Sequence, residues 1–212
     1  LSDDFKIEMQ ILLDEALYAM GIEAVGLRGH EADDIIHTFA HVANFGSERM
    51  DEVVILTCDH DLLQCVNHHT KVLLFNTAKK QVLMGVDEVL ERWGCYPDDI
   101  RFIKAISGDS SDNISGVKGV GPKTALKIME ESKWMLETAF KHKKLEGHED
   151  AIKDNLELVT LRNIIGEIGP ITWSDFELGK GLESDMATLV DKYEFTSLQK
   201  RLKSIVKTLE LK

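Results

Sequence analysis

Residues 104–125 read KAISGDSSDNISGVKGVGPKTA, and the reading of this stretch organises the rest of the chain. Asp109 and Asp112 stand three apart, so on a helical turn they share a face and can grip one cation. Gly116, Gly119 and Gly121 follow, at positions where positive φ costs nothing and a ligand can approach the backbone. Pro122 suits the first turn of a helix, where its missing N–H would be unpaired anyway. Lys123 and Thr124 then fall where free backbone donors face an anion. The expectation is a metal held by carboxylates at one end and a phosphodiester backbone held by glycines at the other. On local pattern alone, GDSSDN also reads as a polar turn and GVKGVG as a loop between helices. A Walker-type phosphate loop is excluded: Gly116 and Gly121 have its spacing, but Pro122 displaces Lys123 by one and no hydrophobic strand leads in.

Upstream the pattern is α/β. Phe5 to Met20 carries apolar residues at helical spacing, stopped by Gly21, and Ile22 to Leu27 reads as a short strand. Glu31, Asp33 and Asp34 then head a helix whose apolar face is Ile35, Ile36, Phe39, Val42 and Ala43. Acids there are metal-ligand candidates, and equally a dipole match worth up to about 1 kcal/mol. Val53 to Thr57 is a continuous apolar run, read as a strand buried on both faces of a parallel sheet. It ends in Cys58-Asp59-His60-Asp61, where Asp59 and Asp61 point the same way if the chain is still extended. Ligand sites of open α/β folds lie at such strand ends. A capping Asp before a helix at Leu62 to Val66 is the alternative, and it accounts for one of the two acids. Lys71–Phe75 and Gln81–Met84 read as an edge hairpin around residues 76–80. Val86 to Trp93 reads as a helix closed by Gly94, and Asp98 as the cap of a helix from Ile100 to Ile106.

After Ala125 the strand signals stop. Leu156 to Ile165 and short segments from Ser184 to Leu211 read as helices, with a break at Gly169-Pro170. Lys141, Lys143 and Lys144 read as a solvated face. The expected fold is α/β, with a mostly parallel central sheet and flanking helices over residues 1–107 and a helical subdomain over 108–212.

Hydrophobic and charged contents of 43% and 29% are those of a globular protein able to bury a core. The net charge of −12 runs against a nucleic-acid partner unless acids are spent on metal and a local basic track meets the phosphates. Cys58, Cys65 and Cys95 match no zinc spacing and fit a reducing, cytoplasmic compartment. His68 and His69 have no partner at metal spacing. No apolar run is long enough to span a membrane, and nothing calls for more than a monomer. The chain opens on Leu1, directly in a helical pattern, so a fragment is expected.

Three acidic clusters in order, closed by a glycine hairpin, are far more specific together than apart. The segments GHEADDIIHTFA, ILTCDHDLLQ and FIKAISGDSSDNISGVKGVGPKTA, with KYEFTSL near the end, resemble the structure-specific 5′ nuclease family. That family comprises the 5′-to-3′ exonuclease domain of bacterial DNA polymerase I, the phage 5′ exonucleases and the flap endonucleases. The resemblance implies a PIN-like core followed by a helix–hairpin–helix subdomain. It implies hydrolysis of DNA phosphodiesters at 5′ ends and flap junctions, with branched DNA, 5′-ended duplex and RNA/DNA hybrid as partners and roles in replication and repair. By motif match, Glu31, Asp33, Asp34, Asp59 and Asp61 are ligands of Mg²⁺, for which Mn²⁺ can substitute, and Asp109 and Asp112 complete a second site. Asp59, Asp61 and Lys104 are the expected catalytic residues. Lys104, Gly116, Lys118, Gly119, Gly121, Lys123 and Thr124 are the expected DNA contacts, with K⁺ held by the carbonyls of Val117 and Val120. Of the family's opening strand, its upstream Asp ligands and its basic arch, nothing lies before Glu31 except the opening helix, which fits the trailing end of the arch. A non-catalytic binder of branched DNA is the competing reading.

Overall fold

The computed structural model describes residues 3–19, 21–75, 81–176, 188–194 and 197. It divides into two compact units, residues 1–26 with 172–212, and residues 27–171. In the first, helix α1 (Asp3–Ala19) ends where Gly21 turns left-handed at φ 64°. Ala19 and Leu189 bury there beside Ala16 and Tyr193, and Glu15 accepts hydrogen bonds from Lys192 and Tyr193. Residues 22–27 are irregular and not a strand: Val25 and Ile22 are exposed and no neighbouring strand pairs with them. Most of the expected terminal helices, and part of KYEFTSL, lie outside the described residues.

The second unit runs α2 (Ala32–Phe45), β1 (Val53–Thr57), a 3-10 turn (Asp61–Cys65), β2 (Thr70–Phe75), β3 (Gln81–Met84), α3 (Val86–Trp93) and α4 (Ile100–Ser107). Then come β4 (Gly108–Asp109), β5 (Ile114–Ser115), α5 (Pro122–Glu131), α6 (Leu136–Ala139), α7 (Glu149–Val159) and α8 (Ile165–Ile168). β1 and β2 are parallel, and β3 closes the sheet antiparallel to β2, so the sheet is small and mixed, not mostly parallel. The β2–β3 hairpin agrees with the sequence pattern. β1 differs from its expected burial: Ile55 is buried, whereas Val54 and Leu56 are 43% and 65% exposed. At the sheet's edge, alternation and not hydrophobicity decides which side chains are covered.

One hydrophobic core runs from Ala40 through Leu63, Val72 and Ile106 to Met129 and Val159, straight across the expected boundary at residue 107. Helix α4 is its hub, with Ile100, Ile103, Ala105 and Ile106 all buried and both α5 and α7 packed on it. Gly94 caps α3 at φ 75°, as its sequence position suggests. Asp98 does not cap α4; it pairs with Arg101 at 2.9 Å, and Asp99 holds the cap position without a side-chain bond. The helix read as Leu156 to Ile165 is α7, ending at Val159, and a separate turn at α8: Thr160 leaves helical geometry at ψ 121°. Among the described residues no helix is long and apolar enough to cross a membrane.

Candidate metal centre and glycine hairpin

Three carboxylates, from Asp61, Asp109 and Asp112, offer oxygens within 4.8 Å of one another. Asp61 opens the 3-10 turn after β1, where the chain leaves the carboxyl end of a parallel strand. Asp109 and Asp112 do not share a helical face, as their spacing suggested. They meet because β4 and β5 form a tight antiparallel hairpin whose turn, residues 110–113, brings them round, with Asn113 left-handed at φ 58°. Two glycines make that hairpin possible. A Cβ on Gly116 would sit 2.1 Å from the carbonyl of Ser107, and one on Gly108, at φ 80°, would sit 2.4 Å from the Gly116 nitrogen. Asn155 on α7 fastens the arrangement, donating to the Ala105 carbonyl at 3.0 Å and to the Ser115 carbonyl at 2.9 Å.

Lys104 is the cation of this cluster. It is only 8% exposed, and its ammonium pairs with Asp61 and, at 2.6 Å, with Asp109. Burial opposes ionisation of Asp109, but hydrogen bonds from Lys104 and Ser111 and the lysine's charge outweigh it and hold the carboxyl down at about 2. His60, next to Asp61 in sequence, has its pKa lowered by burial and by the charges of Arg92 and Lys104. Lys104, expected as a catalytic residue and phosphate contact, lies inside the acid cluster in this structure.

The other acids are placed differently. Asp59 is exposed, and its Oδ1 accepts the Asp61 N–H at 2.8 Å in a two-residue turn; the cap position of the 3-10 turn is His60, without a side-chain bond. Glu31 is exposed and Asp33 half-buried at the head of α2, where Asp33 adds its charge to the burial that pushes the Cys65 thiol up to about 12. Asp34, expected as a metal ligand, is engaged by Arg162 in this structure. Its Oδ1 accepts the Arg162 backbone N–H at 2.8 Å and its Oδ2 the Arg162 guanidinium at 2.7 and 2.9 Å. Arg162 was invisible to motif reading. The one available signal was Asp34 itself, which shares the buried face of α2 with Thr38 at i+4 and so demands a partner.

The glycine hairpin leads directly from this cluster. Val117 donates to the Ile106 carbonyl at 2.8 Å, and Val117 and Val120 are both buried. Between them Lys118 and Gly119 are exposed, with Gly119 at φ 79° and no atom within 4 Å of a Cβ added there. Gly121 is equally open and precedes Pro122 at the first turn of α5, with Lys123 exposed and Thr124 half-exposed beside it. Of the carbonyls expected to hold K⁺, that of Val117 already accepts the Val120 N–H at 2.9 Å.

Comparison with known proteins covers both parts of the chain. Residues 1–94 match the family described as 5′-3′ exonuclease, N-terminal resolvase-like domain, and residues 95–180 match its companion, the 5′-3′ exonuclease C-terminal SAM fold. The thermostable DNA polymerase I of Thermus thermophilus is 32% identical over 203 residues, covering 92% of this chain and 23% of that protein. The 5′-3′ exonuclease of Bacillus subtilis is 39% identical over 121 residues, covering 57% of this chain and 40% of that protein. The chain thus spans well under half of these relatives. A mutant of the T5 5′-exonuclease shares the fold at TM-score 0.55 and 23% identity, covering 78% of this chain and 67% of that one. Two consecutive family models across residues 1–180, and acidic clusters in the expected order, place the chain in the 5′-3′ exonuclease family.

Proposed function

We propose that this protein is a divalent-metal nuclease that hydrolyses DNA phosphodiesters at 5′ ends and flap junctions. The observation that carries the reading is the convergence of Asp61, Asp109 and Asp112 at the head of an exposed glycine hairpin. The donor set fits the ion: hard carboxylate oxygens suit Mg²⁺ or Mn²⁺, and a cationic ammonium already lies among them. Asp61, Asp109 and Asp112 would hold the metal, with Asp59, Glu31 and Asp33 as further ligands, directly or through water. Bound there, a divalent ion supplies hydroxide at neutral pH and stabilises the leaving oxygen. Solved relatives point the same way: T5 5′-exonuclease binds divalent metal ions, and the catalytic core of Rad2 is described in complex with DNA substrate.

The chain's own residues then position the substrate. Residues 108–124 form a helix–hairpin–helix element with α4 and α5. The open backbone at Gly119 and Gly121 admits a phosphate at van der Waals distance, and Lys118, Lys123 and Thr124 flank it. Such contacts fix register without reading sequence. The carbonyls of Val117 and Val120 remain the proposed K⁺ ligands. The test is cleavage of a 5′-flap DNA by the protein with Mg²⁺ and with chelator. D61N and D109N should lose cleavage by at least about 100-fold, an oxyanion- or metal-scale effect, while retaining junction binding. Cleavage that survives chelator overturns the reading, and junction binding with no cleavage under any metal leaves a non-catalytic binder.

A further inference from the structure

We infer that Lys104 is a built-in place-holder for the divalent ion: its ammonium occupies the cation position between Asp61 and Asp109 and is displaced when metal binds. This rests on the metal-centre reading and deepens it. Three carboxylates within 4.8 Å repel one another, and one buried ammonium cancels a single charge of the three. The site therefore retains net negative charge that a divalent ion, and not a monovalent side chain, can satisfy.

The anchoring of Lys104 favours exchange over rigid retention. Its backbone is fixed: the Lys104 carbonyl accepts the Gly108 N–H, and the next two carbonyls are held by Asn155 and by the Val117 N–H. The ammonium rides on a flexible four-carbon stem, so it can leave by side-chain rotation without moving α4. Asp61 and Asp109 are themselves 16% and 13% exposed, which leaves the cluster a face through which a hydrated ion enters. An ion that takes the carboxylates of Asp61 and Asp109 meets the like charge of the ammonium within a few ångströms, so lysine and metal compete. Released at the same position, the ammonium becomes a donor for the phosphate that the metal binds, which reconciles its burial here with the phosphate contact read from sequence.

Two measurements on the full chain test this. Mn²⁺ titration by calorimetry should show tighter binding in K104M than in the unaltered chain, by about tenfold, because the competitor and its charge are gone. Amine labelling of the unaltered chain, read at Lys104 by mass spectrometry, should be slow without metal and at least severalfold faster with saturating Mn²⁺. Equal or weaker Mn²⁺ affinity in K104M, or labelling of Lys104 that metal leaves unchanged, overturns the inference while leaving the metal centre standing. No Mn²⁺ binding by either protein overturns the metal centre and this inference together.

Discussion

Arg162 encloses the carboxylate of Asp34 with three hydrogen bonds, one from its backbone N–H and two from its guanidinium, across 128 positions of sequence. Two residues on, the Ile164 N–H donates at 2.9 Å to the Thr38 hydroxyl, which itself donates to the Asp34 carbonyl. The segment after α7 is thereby stitched to the first turns of α2, the helix that carries Glu31 and Asp33 at its head. The pair is lopsided: the Asp34 side chain is 7% exposed and the Arg162 side chain 60%. R162A leaves a buried carboxylate without its counter-charge and should lower stability, though by less than the loss of a fully buried pair because solvent screens the guanidinium. Combining it with D34N removes the orphaned charge, so the double variant should lose less than the sum of the two single losses in urea unfolding. Additive losses would mean that the contact contributes nothing.

What the sequence carries about this site is local. The acids after β1 and Pro122 at the head of α5 each announce themselves within a few residues; of the three glycines read at positive-φ positions, Gly119 is left-handed at φ 79°, whereas Gly121 is extended at φ −89° and Gly116 is not left-handed either. Lys104 and Asp34 take partners here that their local sequence does not announce, for one shared reason. Whether a charged side chain is a ligand, a substrate contact or half of an ion pair depends on what faces it from elsewhere. For Asp34 that partner lies at residue 162, and for Lys104 the partners lie in two separate loops. The sheet was over-read in the same way, because an apolar run fixes a strand but not which of its faces is covered.

The glycines of the hairpin divide into two classes that one substitution separates. G116A drives a methyl into the Ser107 carbonyl at 2.1 Å, where only backbone can move, and should cost about 2–4 kcal/mol and weaken metal binding with it. G119A meets no atom, so its cost is the left-handed backbone alone, about 1 kcal/mol. Its larger effect should fall on duplex DNA affinity, measured by fluorescence anisotropy. If G119A binds DNA as the unaltered chain does, the hairpin is not the phosphate contact.

Thiol chemistry probes the core independently of any ligand. Cys58 is exposed, whereas Cys65 and Cys95 are 5% and 2% exposed, and burial first, then nearby acids, pushes both thiols up to about 12. At pH 8 a thiol reagent should therefore label one cysteine within minutes and the other two only on unfolding. Rapid labelling of all three would show that the core around the 3-10 turn opens readily.

Metal should stabilise the fold chiefly through the cluster. An ion that binds only the folded chain adds about 2.7 kcal/mol at a hundredfold excess over its Kd, which for a domain of this size raises Tm by roughly 5–10 °C. D109N and D112N each remove the negative charge of one of the three converging carboxylates and should reduce that rise to a small fraction. D34N makes the informative control. It breaks the buried contact with Arg162 and lowers the starting Tm, yet it takes no oxygen from the cluster, so Mg²⁺ or Mn²⁺ should still raise its Tm by the full amount. A D34N variant that no longer responds to metal would return Asp34 to the ligand set and show that Arg162 releases it when the ion arrives.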